Sequence, residues 1–361
     1  MTYTAEENLL TKLEVNNLDQ DGVQCNFQRT CRVPEGRINS LPAGLGSFPI
    51  YKVSDFKSGA PKDWKEEGYF FPMYKQEAMW INFSRNYRNP RAMIIAAGNI
   101  NAITGKPFDL SKDKFARNRR KKKSGELSIR IEEGNYIVTP PQPWIDGWKA
   151  EDGKVYQFVA AEMGSGETVE GQITGEEKIG GIQIISYKLK KGVKLIRETM
   201  PNEYMIGGGW LEPSFDSCFE SALFMNSKGL DSAVRCCAMN SVQSMGLGRG
   251  GEISQKIYPD PYGLKVWEPN PSKVIRLYLV SSADFKQVTG HDAPATPVTY
   301  EAYQALGLPW FELYDSKYKD IQGSNVFGKL KPVSGGSGAK PNIPENYKPK
   351  PIDSKIFEVF K

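Results

Sequence analysis

The sequence predicts a mainly β protein: two related antiparallel β-sandwich-like domains with a short helical insert and extended terminal arms. Three observations carry that reading. Between Pro143 and Tyr187, Tyr156, Phe158 and Ala160 form one apolar face. Val169, Gly171 and Ile173 repeat the two-residue period, with Glu170 and Gln172 pointing the other way. Such alternation marks half-buried strands. Gly164-Ser165-Gly166 and Gly180-Gly181 separate the segments, and glycine accepts the positive φ of tight turns. The stretch reads as three short strands in an antiparallel meander. Second, Arg91–Gly98 with Asn99–Gly105 aligns without a gap with Arg276–Ala283 and Asp284–Gly290. A tryptophan precedes each copy (Trp80, Trp267) and a Pro-Trp follows each (Pro143-Trp144, Pro309-Trp310), the pattern a degenerate duplication leaves. Third, 24 prolines and 35 glycines accompany 17 Tyr and 17 Phe, which suits many short strands joined by turns.

Residues 1–68 read as an N-terminal arm. Thr4-Ala5-Glu6-Glu7 fits a capping box, and Leu9, Leu10, Leu13 and Leu18 follow as an apolar helical stripe. Residues 19–61 are rich in Gly, Pro and Asn, with little periodicity. They can follow a surface but not build a core of their own. Asp19-Gln20-Asp21-Gly22 resembles the start of a calcium loop but lacks its later acidic ligands, so it reads as an Asx-type turn. The first β domain is expected at 69–190 and the second at 191–330, with a helical insert at 216–245. Within that insert Cys218, Cys236 and Cys237 read as small apolar packing residues. Residues 331–361 divide into a Pro/Gly/Ser/Lys linker and a strand-like docking tail containing Ile356, Phe357, Val359 and Phe360.

Composition limits the function classes. A net charge of +5 over 361 residues is too mild to imply nucleic acid by itself. No basic-then-apolar leader is present, and the best apolar run, Ala92–Ala97, is far shorter than a bilayer span. Five cysteines, an odd number with Cys236 and Cys237 adjacent, suit free thiols in a reducing compartment. A cytoplasmic location is therefore expected. Lys112–Lys123 is the one dense basic cluster, and no aromatics alternate with its charges as in single-strand binders. It reads as a solvated excursion, or as an intersubunit patch facing Glu132-Glu133 or Glu176-Glu177.

No catalytic constellation stands out. His291 is the sole histidine and lies in a turn, so any Ser-His-Asp or Cys-His arrangement would have to use it. Cys25 and Cys31 are too widely spaced for a zinc knuckle, and Cys236-Cys237 too closely. Gly246-Leu-Gly248-Arg-Gly-Gly251 matches G-x-G-x-x-G formally. A dinucleotide site needs a strand before the glycines and a helix after them; here a helix-like run precedes them and a strand, Glu252–Tyr258, follows. Glu162, Glu167 and Glu170 could line a cleft, as could Asp146 and Asp260, but no motif pairs them. No cofactor or metal is expected.

Gln142–Gly147 (QPWIDG), Gln157–Ala160 (QFVA), Val169–Gly175 (VEGQITG), Gly180–Ile184 (GGIQI), Gln255–Gly263 (QKIYPDPYG) and Leu308–Asp315 (LPWFELYD) occur in that order. This series resembles a family of uncharacterised β-rich proteins from fungi, other microbial eukaryotes and some bacteria, across Trp80–Val333. The resemblance implies one continuous β-rich unit and brings no activity, cofactor or catalytic residue with it. Some members carry a ubiquitin-like domain in front, which residues 1–68 do not resemble.

The function expected is that of a non-enzymatic structural protein, self-assembling into a homo-oligomer or filament through its terminal arms. Its partners are other copies of itself. The expected contacts are Ile356, Phe357, Val359 and Phe360, with Arg117, Arg119, Arg120, Lys121, Lys122 and Lys123 secondary. The alternative is a lectin-like glycan- or ligand-binding β-sandwich module using Trp144, Trp148, Trp210 and Trp310 as stacking platforms.

Overall fold

The computed structural model describes residues 14–84, 86–87, 89–110, 129–151, 153–193, 242, 244–311 and 318–335. These residues are mainly β, and a sixteen-stranded, largely antiparallel sheet dominates them. Nine strands form its main path: β1 (Leu18–Asp19), β2 (Gln24–Thr30), β3 (Ala78–Phe83), β4 (Arg91–Ala97), β5 (Ile100–Asn101), β6 (Lys154–Glu162), β7 (Ile182–Tyr187), β8 (Ser244–Ser254) and β9 (Lys273–Ser281). They are hydrogen-bonded in the order β1-β2-β3-β6-β8-β9-β7-β4-β5.

Every residue of β4 and β7 is buried, because these near-continuous apolar runs are covered on both faces. Met93, Ile95, Ala97, Ile182 and Ile184 enter the main core. The alternate residues Ala92, Ile94, Ile185 and Tyr187 pack with Trp267 in a second cluster. Strand β7 pairs with β4 on one side and β9 on the other, Ile184 lying opposite both Ile95 and Ile275. Strands assigned from sequence to separate domains thus interleave in one sheet, and a division at residue 190 does not divide it. The two aligned segments flank β7 on opposite sides. Beyond them they differ, since the first returns as β5 and the second forms the helix Phe285–Thr289. Gly105 and Gly290 nevertheless occupy matching positions with φ of +69° and +82°.

Two expectations are corrected. Val169–Thr174 is an α-helix, not a strand, and β6 and β7 do not pair, so the 143–187 stretch is no meander. Thr168 caps that helix by accepting from Gly171 N, and Gly175 ends it at φ +78°, a favourable N-cap and left-handed C-terminal pair. Val169 and Ile173 fit a helical stripe as well as an alternating one, and both face the main core. The second correction concerns the arm. Strand β2 pairs along six residues with β3, and Cys25, Phe27, Phe48 and Ile50 lie in the main core. Residues 15–56 are part of the body. The Asx-type turn stands: Asp19 accepts from Asp21 N and Gly22 N at 3.1 and 2.9 Å. Most of the helical insert lies outside the described residues, and Ser244 and Met245, its last two, begin β8.

Candidate functional site

Two places in the body are built with more care than packing alone requires. The first holds residues 330–334 in an extended path over β8. Val333 is fully buried against Ala78, Val159 and Ala161, and its N–H donates to Arg249 O at 2.8 Å. Gln172 on the Val169–Thr174 helix accepts from Lys331 N (2.7 Å) and donates to Lys331 O (3.0 Å). Arg249 Nη1 donates to Leu330 O, Arg32 Nη2 to Val333 O, and Ser334 N donates to Glu167 Oε1. Arg249 is itself stacked 3.9 Å from the Tyr156 ring centroid, a cation–π contact that fixes its fork. Gly248 makes the close approach feasible, since a Cβ there would sit 2.3 Å from Val333 Cγ2. The glycine series Gly246–Gly251 lies within strand β8. Here the segment's backbone is gripped by side chains.

The second place is where the motif segments meet. Gln142 accepts from Tyr258 N and donates to Trp144 O, while Gln255 accepts from Asp146 N and donates to Trp144 O. QPWIDG and QKIYPDPYG thus hold each other through a pair of buried glutamines. Gln157 of QFVA binds Val33 N and Cys31 O. Lys149, fully buried, donates to Gln255 O (3.2 Å) and Asp320 Oδ2 (2.6 Å). Burial lowers its pKa, opposed by the hydrogen bond and charge of Asp320.

On this side of the sheet, Gln28 of β2 lies opposite Trp80 of β3, and Asn26 lies opposite Asn82. Trp144 pairs with Asn82 and Ile145 with Ile81. Antiparallel partners share a face. Gln28 thus shares a face with Trp80, and Asn26, Asn82 and Trp144 form a row beside them. Gln28 spends its NH₂ on Asn26 Oδ1 and Ser47 Oγ. Gln28 Oε1, Trp80 Nε1, Trp144 Nε1 and Asp146 Oδ2 are all buried without a hydrogen-bond partner in the chain. Burial pushes the Asp146 carboxyl up to about 8. The Trp144 indole opposes the rise without completing a hydrogen bond of good geometry.

The remaining motif is structural. Glu170 accepts from Lys178 N, Ile179 N and Gly180 N at 2.8–2.9 Å, and Gln183 ties Gly180 O to Asn99 N. Glu177 gathers the Gly164, Gly166 and Thr168 amides and the Thr168 hydroxyl. Its burial would raise its pKa, but these hydrogen bonds hold it below the usual carboxylate range. A Glu170→Gln variant keeps one carbonyl for three amides and should lose about 1–3 kcal/mol. An unchanged urea midpoint would mean that these bonds are not what fixes the loop.

The sequence-selected residues are scattered. Glu162 pairs with Lys75, and Asp260 accepts from Tyr136, Trp267 Nε1 and Tyr262 N. With Glu167 and Glu170 engaged as above, these acids form no common cleft. His291 is partly buried in a turn after a helix rather than a strand. Its N–H donates to Thr289 Oγ1, and Asp292 pairs with Lys286. Trp144 and Trp148 are buried at 7% and 0% exposure, so neither is an open stacking platform. Trp310 is partly exposed, packed against Tyr300 and Tyr303. Trp210, the contacts expected at Ile356, Phe357, Val359 and Phe360, and those at Arg117 and Arg119–Lys123 lie outside the described residues. Sequence reasoning missed Gln28, Trp80 and Gln255, although two of them stand in or beside the motif series. Among the described residues no three His, Cys, Asp or Glu side chains are placed to hold a metal, and no helix is long and apolar enough to cross a membrane. No family model, curated protein or solved structure matches the chain.

Proposed function

We propose that the protein is a non-enzymatic structural component that self-associates, with residues 336–361 as its connector. The observation that carries this reading is the grip on residues 330–334. Six hydrogen bonds involving the Arg32, Glu167, Gln172 and Arg249 side chains reach the segment's backbone, and Val333 is fully buried. Whatever follows Gly335 therefore departs from a fixed point on the sheet, which lowers the entropy lost when a connector meets a neighbour. The apolar group Ile356, Phe357, Val359 and Phe360 then suits docking on a sheet edge or groove of another copy. A heterologous contact of this kind closes into a ring or propagates as a fibre.

Deleting residues 351–361 should convert the assembled protein to smaller particles in sedimentation velocity. A paired Phe357→Ala/Phe360→Ala variant should do the same without shortening the chain. Unchanged sedimentation for both would remove the tail as connector.

A further inference from the structure

We propose that residues 356–360 dock on the body of their own copy, on the patch formed by Val298, Tyr300, Leu308, Trp310 and Phe311 beside Arg37. The inference rests on the tail reading above and adds where the tail is held before a neighbour takes it. The five apolar residues are all partly exposed, yet all pack on one buried cluster of Cys31, Ala43, Leu45 and Tyr303. Tyr303 ties that base together, since its hydroxyl accepts from Ala43 N and donates to Pro309 O. The Trp310 ring stands 4.9 Å from that of Tyr303 and 5.8 Å from that of Tyr300. Strand Trp310–Phe311 pairs with Leu41–Pro42 in a sheet of two strands, so among the described residues its second edge carries no strand. An aromatic patch with an open strand edge is a template for an added strand.

Charge and reach select the occupant. Arg37 is exposed, and its guanidinium lies 5.7 Å from the Tyr300 ring centroid, with Nη2 donating to the Tyr300 hydroxyl and Nε to Asn39 Oδ1. Among the described residues no carboxylate pairs with it. In Ile356-Phe357-Glu358-Val359-Phe360 the one charge is acidic, framed by apolar residues on both sides. Residues two apart share a side of a strand, so Ile356 and Phe360 meet the rings when Glu358 meets Arg37. The reach is short. Arg32 grips Val333 O and Ser334 O, and the backbone from Arg32 to Arg37 spans at most about 18 Å. A Gly/Ser/Pro-rich linker the length of residues 336–355 covers about 25 Å on average, which gives the tail an effective concentration on the order of millimolar over its own patch. A neighbour's surface must outcompete that contact, so docking within the copy sets the concentration at which assembly begins.

The test is photo-crosslinking of the full chain carrying p-benzoylphenylalanine in place of Phe360, irradiated as an equal mixture of isotope-labelled and unlabelled copies. Dilute protein, in the smallest particle that sedimentation resolves, should crosslink to residues 298–311 within one copy. Arg37→Glu and Glu358→Arg should each lower that yield about threefold, and the two together should restore it. Crosslinks that map elsewhere, that join only labelled to unlabelled copies, or that ignore the charge exchange would overturn the assignment. Deleting residues 351–361 reports separately on the connector. The dock stands if the crosslinks form as expected while deletion leaves sedimentation unchanged, and falls if deletion shrinks the particle while no crosslink reaches the patch.

Discussion

Replacing Arg29 by Met should cost about 3–5 kcal/mol at neutral pH, because it strips the counter-charge from a fully buried carboxylate. Arg29 Nε donates to Glu77 Oε1 at 2.6 Å, and the two side chains are 9% and 0% exposed. The same guanidinium holds Ala295 O, while Glu77 Oε2 accepts from Tyr74 N. Burial already raises the Glu77 pKa, opposed by Arg29 and the Tyr74 amide; removing Arg29 raises it further. A carboxyl whose folded pKa lies above its unfolded value stabilises the fold below the unfolded pKa and loses that contribution as pH rises. The deficit of Arg29→Met should therefore shrink from pH 7 towards pH 4. Arg29→Met/Glu77→Gln should regain much of the loss, since a neutral pair carries no buried charge. Urea unfolding at several pH values is the measurement. A deficit that grows on acidification, or a double variant no better than the single, would contradict the pair's assigned role.

Asp146→Asn is expected to do the opposite and stabilise the protein. With its carboxyl at about 8 in the fold and about 3.9 in the unfolded chain, the native state keeps a proton that the unfolded state releases. Its contribution to wild-type stability then falls between those values, with a slope approaching 1.4 kcal/mol per pH unit, and levels off above the folded pKa. Asparagine does not titrate, so the variant's advantage should grow with pH across that window. The comparison is between two stability curves, so a constant offset from asparagine's own hydrogen bonding does not matter. Curves that run parallel from pH 5 to pH 8 would show that Asp146 is ionised in the fold.

The parts of the fold that the sequence disclosed are those where one physical signal dominates. Arg91–Ala97 and Ile182–Tyr187 are apolar apart from Arg91, Gln183 and Ser186, and every residue in them is buried. Glycines at 164, 166, 180 and 181 all take positive φ. At Val169–Thr174 two periods fit the same residues. The arbiters were local, a threonine cap before the segment and a left-handed glycine after it, and weighting them over alternation would have given the helix. Strand β2 was hidden for another reason. Its Gln28, Arg29 and Thr30 are polar yet buried, because partners on other strands satisfy them, and those partners are invisible in a local window. The pairing of Gln28 with Trp80, and of Asn82 with both Asn26 and Trp144, was illegible for the same cause, since these residues become neighbours only through strand register.

The position of β7 has a consequence for how the molecule is made. One flank of Ile182–Tyr187 is filled by β4, which precedes it, and the other by β9, which begins only at Lys273. While the ribosome is still producing the intervening residues, an apolar strand has a bare hydrogen-bonding edge, the kind of surface that invites wrong partners. The sheet can close only after nearly the whole body has emerged, so slow, late folding and a need for shielding during synthesis are built into its topology.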